Sequence, residues 1–157
     1  MQQRTGVPEI DRLEAFIGEW SLEPGLELPS SGEVTGRTTF EWMPGGRFLV
    51  QRWEVSHPAA PDGLSVIGVD ERRGSGHGSY RQHYFDSRGV ARLYEMSFDG
   101  ETWKLWRNAE DFSPLSFAQR FEGTFGEDGN TITGRWETST DGGATWEKDF
   151  DLTYRAA

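Results

Sequence analysis

The chain has 157 residues, enough for one domain with a real core or an enclosed ligand site, and residues 1–157 are read as a single domain. Lys and Arg number 16 against 26 Asp and Glu, a formal charge of -10, so the electrostatic footprint for nucleic acid or an anionic membrane is missing. No Cys is present, which excludes disulfides, thiolate chemistry and Cys-held metal; no run of about 18 apolar residues occurs, so a cytoplasmic, soluble protein is expected.

Residues 8–17, PEIDRLEAFI, place Ile10, Leu13, Phe16 and Ile17 at helical spacing behind Pro8, which suits a first helical turn. A short helix is expected there. After it, aromatic and polar residues alternate with period two between PGG, SGHG, SRG, DG, DGN and DGG turns. The spacing predicts an all-β chain with about ten antiparallel strands, near 19–23, 33–43, 48–57, 64–71, 79–86, 90–98, 101–108, 117–126, 130–139 and 146–155.

Turn lengths then set the pairing. A four-residue loop at PGGR puts Arg37 opposite Glu54, Thr38 opposite Trp53, Phe40 opposite Gln51 and Trp42 opposite Leu49. A three-residue Ser87-Arg88-Gly89 loop puts Arg81 opposite Glu95; a four-residue loop would instead turn His83 inward. A two-residue Asp99-Gly100 turn sets Met96 against Trp103, Glu95 against Lys104 and Tyr94 against Leu105. An Asp128-Gly129 turn sets Glu122 against Arg135, Arg120 against Glu137, Phe121 against Trp136 and Phe125 against Ile132. Charges meet on one face and aromatics on the other.

The inward face holds Phe40, Trp42, Trp53, Trp103, Phe121, Trp136, Phe150 and Tyr154, together with Gln51, His57, Gln82, Arg92, Arg107, Gln119 and Lys148. A solid core does not tolerate so many polar groups without partners, so a lined cavity inside a closed barrel is expected. The LEAFIGEW segment leading into the first strand, the Gly/Trp-rich hairpins and the closing WEKDFDLTY resemble small bacterial calycin-like proteins, lipocalin-like barrels mostly of unassigned function. The resemblance spans nearly the whole chain and implies an antiparallel calycin-like barrel with a short N-terminal helix. The haem-binding nitrobindins share that architecture, but GEWSLEPG does not match their GxWxGxG motif, and no His follows His83 to match their late-strand haem ligand. No cofactor is carried over.

Loops at 57–63, 86–89, 108–116 and 139–145 share one end and mark the mouth, while the tight turns and 72–78 share the other. The ligand-lining candidates are Gln51, Trp53, His57, Gln82, Tyr84, Arg92, Tyr94, Trp103, Arg107, Gln119, Trp136 and Tyr154. Under the two-residue turn, Arg92 and Arg107 stand opposite each other, an unfavourable pair unless an anion lies between them or Asp86, Glu110 and Asp111 neutralise them. His57 precedes Pro58 and also reads as a solvated loop residue, and the three His are not at metal-ligand spacing. SGHGSY reads as a flexible turn, and STDGGATW fits the Asp-box hairpin pattern of sialidase propellers, with Asp141 bonding turn amides and no glycosidase inference from one copy. On the outer face Phe85, Leu93 and Trp106 become neighbours, and the helix or a homodimer partner is expected to cover them.

Two functions follow. The favoured one is binding of a small apolar or aromatic molecule with an anionic group in the lumen, with no nucleic-acid or membrane partner. The alternative is an enzyme using the lumen for proton-transfer isomerisation or cyclisation, with His57 or Tyr84 as acid/base and Arg92 and Arg107 on an oxyanion. A base beside the aromatic floor argues for the enzyme; one only at the rim argues for the binder.

Overall fold

The computed structural model describes residues 7–25, 35–57, 60–71 and 79–157. Helix α1 (Pro8–Arg12) runs into a 3-10 turn (Leu13–Phe16), and strands follow: β1 (Gly18–Gly25), β2 (Gly36–Trp42), β3 (Leu49–Val55), β4 (Gly63–Val69), β5 (Tyr80–Asp86), β6 (Ala91–Phe98), β7 (Thr102–Arg107), β8 (Ala118–Phe125), β9 (Thr131–Ser139) and β10 (Glu147–Ala156). Each strand pairs antiparallel with its sequence neighbour, and β10 returns to β1 to close the barrel. The first residues of the expected strand 33–43, Pro58, the 72–78 loop and the turn at 75–78 lie outside the described residues.

The expected helix over 8–17 is a shorter α-helix continued by a 3-10 turn, because its buried residues Ile10, Leu13 and Phe16 recur every three positions, the repeat on which a 3-10 helix stacks its side chains. Ile17 leaves the helix extended and is exposed. Gly18, at φ +127, then turns the chain into β1 in a conformation that favours glycine. The indole Nε1 of Trp20 donates to the Phe16 carbonyl at 2.8 Å and so closes the 3-10 turn.

Three hairpins pair as the turn lengths dictate. Arg37 faces Glu54, Arg81 faces Glu95, and Glu122 faces Arg135. The outer wall accordingly carries exposed ion pairs such as Arg120–Glu137 at 2.8 Å and Lys104–Glu122 at 3.5 Å. Exposed pairs of this kind contribute about 0–1 kcal/mol, so they mark the outer face more than they stabilise it.

The β6–β7 hairpin departs from expectation by two residues. Phe98 faces Trp103, Met96 faces Leu105 and Glu95 faces Trp106. The Asp99 carboxylate accepts from the backbone N–H groups of Glu101 and Thr102 at 2.9 and 2.7 Å, which builds a wider turn than Asp99-Gly100 alone. The shift also buries Phe98 beside Trp103. A two-residue slip preserves which face is inside, but it removes the expected Glu95–Lys104 contact and separates Arg92 from Arg107.

Two further corrections follow from local geometry. A register shift between Lys148 and Phe150 in β10 turns Lys148 outward, where its ammonium reaches Asp151 at 3.3 Å. Trp106 stands opposite Glu95 rather than Leu93, so Phe85, Leu93 and Trp106 do not form the expected continuous row. The helix lies elsewhere, with Tyr80 Oη donating to the Glu9 carbonyl at 2.6 Å and Arg12 Nη1 to the Phe98 carbonyl at 3.2 Å.

These two contacts fasten the helix across one end of the barrel. The Phe16 ring enters that end, with centroids 5.2 Å from Phe40, 4.8 Å from Phe98, 4.9 Å from Trp103 and 5.3 Å from Phe125. Tilted and edge-on contacts at these distances are the favoured aromatic geometries. Gly134 lies flat beneath Phe121: a methyl there would stand 2.5 Å from the ring. This half of the barrel is solid.

Candidate functional site

The opposite half of the lumen is a cavity of about 440 Å³ open among the loops after β3, β5 and β7. Its walls follow the ladder. Gln51, Tyr84 and Arg92 lie on one row of partners that runs through Ser65 across β3 to β6, and Gln82 and Tyr94 are paired on the row beneath. Leu105, Trp136 and Phe150 lie on the facing row, which runs through Phe121 across β7 to β10. A second depression of about 460 Å³ lies on the outer wall beside Lys104 and Glu122 and does not reach the lumen.

One side wall is aromatic. Trp53 and Tyr84 stack with centroids 5.4 Å apart at 28°, and Trp53 Nε1 donates to the Pro61 carbonyl at 3.1 Å. Gly63 makes room for the indole, since a methyl at that position would stand 2.1 Å from Trp53 Cζ2. Tyr94 meets both Tyr84 and Trp136 edge-on, at 5.8 and 5.7 Å, which carries the aromatic surface round to β9.

The cations differ sharply in their partners. Arg107 is 3% exposed and fastened bidentately to Asp111, with Nε to Oδ2 at 2.8 Å and Nη2 to Oδ1 at 2.9 Å. Asp111 also accepts the Leu93 backbone N–H at 2.7 Å, and Ser113 Oγ donates to the Ala91 carbonyl at 2.9 Å. The loop after β7 thus satisfies the edge of β6 where the strand pairing stops, with Arg107 as its clamp. Burial would raise the Asp111 carboxyl, but Arg107 and the Leu93 and Ser113 amides hold it at about 2. Arg107 is therefore structural, and it does not line the cavity.

At the rim, Asp86 receives Tyr84 Oη at 2.6 Å and Arg88 Nη2 at 2.6 Å. Burial pushes Asp86 up, while Arg88 and Tyr84 outweigh it and hold the carboxyl at about 2. Burial, reinforced by Asp86, pushes the Tyr84 hydroxyl far above its ordinary value; burial raises Tyr94 and Tyr154 as well. All three phenols keep their protons throughout the physiological range.

Arg92 lines the cavity. Its Nη1 donates to Gln119 Oε1 at 3.2 Å, its guanidinium lies 5.7 Å from the Phe117 ring centroid, and its buried Nε has no partner among the described residues. Gln119 Oε1 also accepts from Tyr94 Oη at 2.9 Å, which orients the amide towards the cation. Among the described residues no acid pairs with Arg92, in contrast to Arg107, Arg88 and Arg120.

All the sequence candidates except His57 and Arg107 line this cavity. Strand β3 ends at Val55, so His57 lies in the bend beyond it, outside the lumen. Eleven lining residues were not among the candidates, and they include Arg88, Phe117, Pro61 and Asp149. Phe117 was legible, since period two carries it inward with Gln119 and Phe121; the bulge that brings Asp149 to the rim leaves no such pattern. The STDGGATW hairpin is built as expected, with the Thr145 N–H donating to Asp141 Oδ1 at 2.9 Å and Ser139 Oγ to the same oxygen at 2.7 Å. Among the described residues no group of three or more His, Cys, Asp or Glu is placed to hold a metal ion, and no helix is long and apolar enough to cross a membrane. No family model and no curated protein matches the chain.

Proposed function

We propose that this chain is a calycin-like binding domain whose lumen holds a small apolar or aromatic molecule carrying an anionic group. The observation that carries the reading is Arg92: a half-buried guanidinium on the cavity wall, oriented by Gln119 and left without a carboxylate partner among the described residues. A half-buried cation without a counter-ion carries a desolvation cost, and a ligand carboxylate or phosphate converts it into charge-assisted hydrogen bonds of about 1.5 to 3 kcal/mol. The aromatic walls from Trp53 to Trp136 suit the body of such a ligand.

Catalysis by proton transfer is the weaker reading. His57 lies off the cavity, Tyr84 holds its proton too firmly to act as a base, and the nearest carboxylates, Asp86 and Asp149, stand at the rim. The test is calorimetric titration with aromatic and alkyl carboxylates and their methyl esters. Acids should bind and esters bind at least tenfold more weakly, with the difference abolished in Arg92→Met; equal affinity for acid and ester in the wild type would refute it.

A further inference from the structure

The lower part of the cavity is lined by side chains whose polar atoms have no partner among the described residues. Trp103 is 1% exposed and its Nε1 donor meets no acceptor there; Gln82 is 4% exposed and its Oε1 meets no donor. Both side chains line the cavity. They lie deeper than Arg92: Gln82 belongs to the row beneath Tyr84 and Arg92, and the Trp103 ring packs on Phe16 of the plug. Among the neighbouring polar groups, Gln51 Nε2 bonds Thr38 Oγ1 at 3.2 Å and Tyr94 Oη bonds Gln119 Oε1 at 2.9 Å, while Ser65 Oγ, between Gln51 and Tyr84 on the ladder, also has no partner among the described residues. An orphaned donor and an orphaned acceptor on side chains that line one cavity are unusual in a folded interior.

Resting on the anion-binding reading above, we infer that the ligand is polar at both ends: an aromatic acid whose carboxylate meets Arg92 at the mouth and whose inner end bears a hydroxyl held between Trp103 and Gln82. A hydroxyl is the smallest group that accepts from an indole N–H and donates to an amide oxygen simultaneously. A ligand without it would bury both atoms unsatisfied, and a site built to bond a hydroxyl discriminates strongly against the analogue that lacks it. A bare hydrocarbon end, such as that of an alkyl carboxylate, is therefore the wrong shape of chemistry for this floor. The Trp53–Tyr84 stack and the edge-on Tyr94–Trp136 pair supply the flat walls between the two ends.

The experiment is calorimetric titration of para-hydroxycinnamate, cinnamate, para-methoxycinnamate and methyl para-hydroxycinnamate into the wild type, Gln82→Leu and Trp103→Phe, each variant first checked by its melting curve. In the wild type the hydroxy acid should bind about tenfold or more tightly than cinnamate, with the methoxy acid no better than cinnamate because it accepts but cannot donate. Gln82→Leu should reduce the hydroxy-to-deoxy ratio below about threefold. Trp103→Phe, if it folds, should do the same; if it does not, Gln82→Leu alone decides. Equal affinities of hydroxy acid and cinnamate in the wild type would overturn the inner hydroxyl and leave the Arg92 reading standing. Equal affinities of the hydroxy acid and its methyl ester, or no binding by any of the four, would overturn both.

Discussion

The two halves of this barrel are made by the same ten strands, yet one is solid and the other hollow. At the helix end, Phe16 enters the lumen and aromatic rings meet it from four strands. At the loop end no element enters among the described residues, and the inward positions pass to Gln51, Gln82, Arg92 and Gln119. What distinguishes the halves is therefore not the sheet but whether a turn of helix fills it. A barrel of this size encloses more volume than its own strands fill where long polar side chains replace rings.

The largest effects should separate the halves. Phe16→Ala should lower stability by about 3 to 5 kcal/mol in a urea melt, the range for removing a fully buried ring, whereas Trp53→Ala in the half-buried wall should lower it by less than about 2 kcal/mol. Similar losses at both sites would mean that the open half is packed as tightly as the plug. Within the open half, Arg107→Met should cost about 3 to 5 kcal/mol because it leaves Asp111 buried and unpaired, and the double variant Arg107→Met/Asp111→Leu should recover much of it. Arg92→Met should change stability in the same urea melt by no more than about 0.5 kcal/mol. Equal losses for the two arginines would show that Arg92 also holds the fold.

Acid should act on the open half first. Asp86 and Asp111 titrate at about 2 in the folded protein, below the unfolded value of about 3.9. A depressed carboxyl contributes its full stability above its unfolded value and loses it as pH falls through the folded one. Stability measured by denaturant should therefore be level above about pH 5 and fall between about pH 4 and pH 2, with Asp111→Asn less stable at neutral pH and flatter across that window. A variant that tracks the wild type in parallel would remove Asp111 as the source.

Inside and outside were legible because the alternation survives any even slip of register. The β6–β7 hairpin paired two residues away from the two-residue turn and still kept Met96, Phe98, Trp103 and Leu105 inside. What failed to show was contact between specific side chains. Asp99 caps the amides of Glu101 and Thr102, a choice between turn geometries that Asp-Gly alone does not decide, and it moved Arg107 away from Arg92. The bulge before Phe150 likewise leaves no trace in the period, and it put Lys148 on the outer wall. The plug was half legible: the helix was visible in Ile10, Leu13 and Phe16, but its docking at the barrel end, rather than over Phe85 and Leu93, depends on Tyr80 and Phe98 carbonyl contacts far away in sequence.

The seam between β1 and β10 sets the order in which the cavity comes to exist. Arg155 reaches Glu23 at 2.8 Å across 132 residues of chain, and Leu22 and Pro24 on one side of the seam share the lumen with Leu152 and Tyr154 on the other. Every other pairing joins sequence neighbours, so the sheet can grow hairpin by hairpin during synthesis while the ring stays open. Closure waits for the last strand. A molecule that needs the complete lumen can therefore neither nucleate folding nor speed it; its binding energy enters only after the ring has shut, and it should appear as slower unfolding with an unchanged refolding rate.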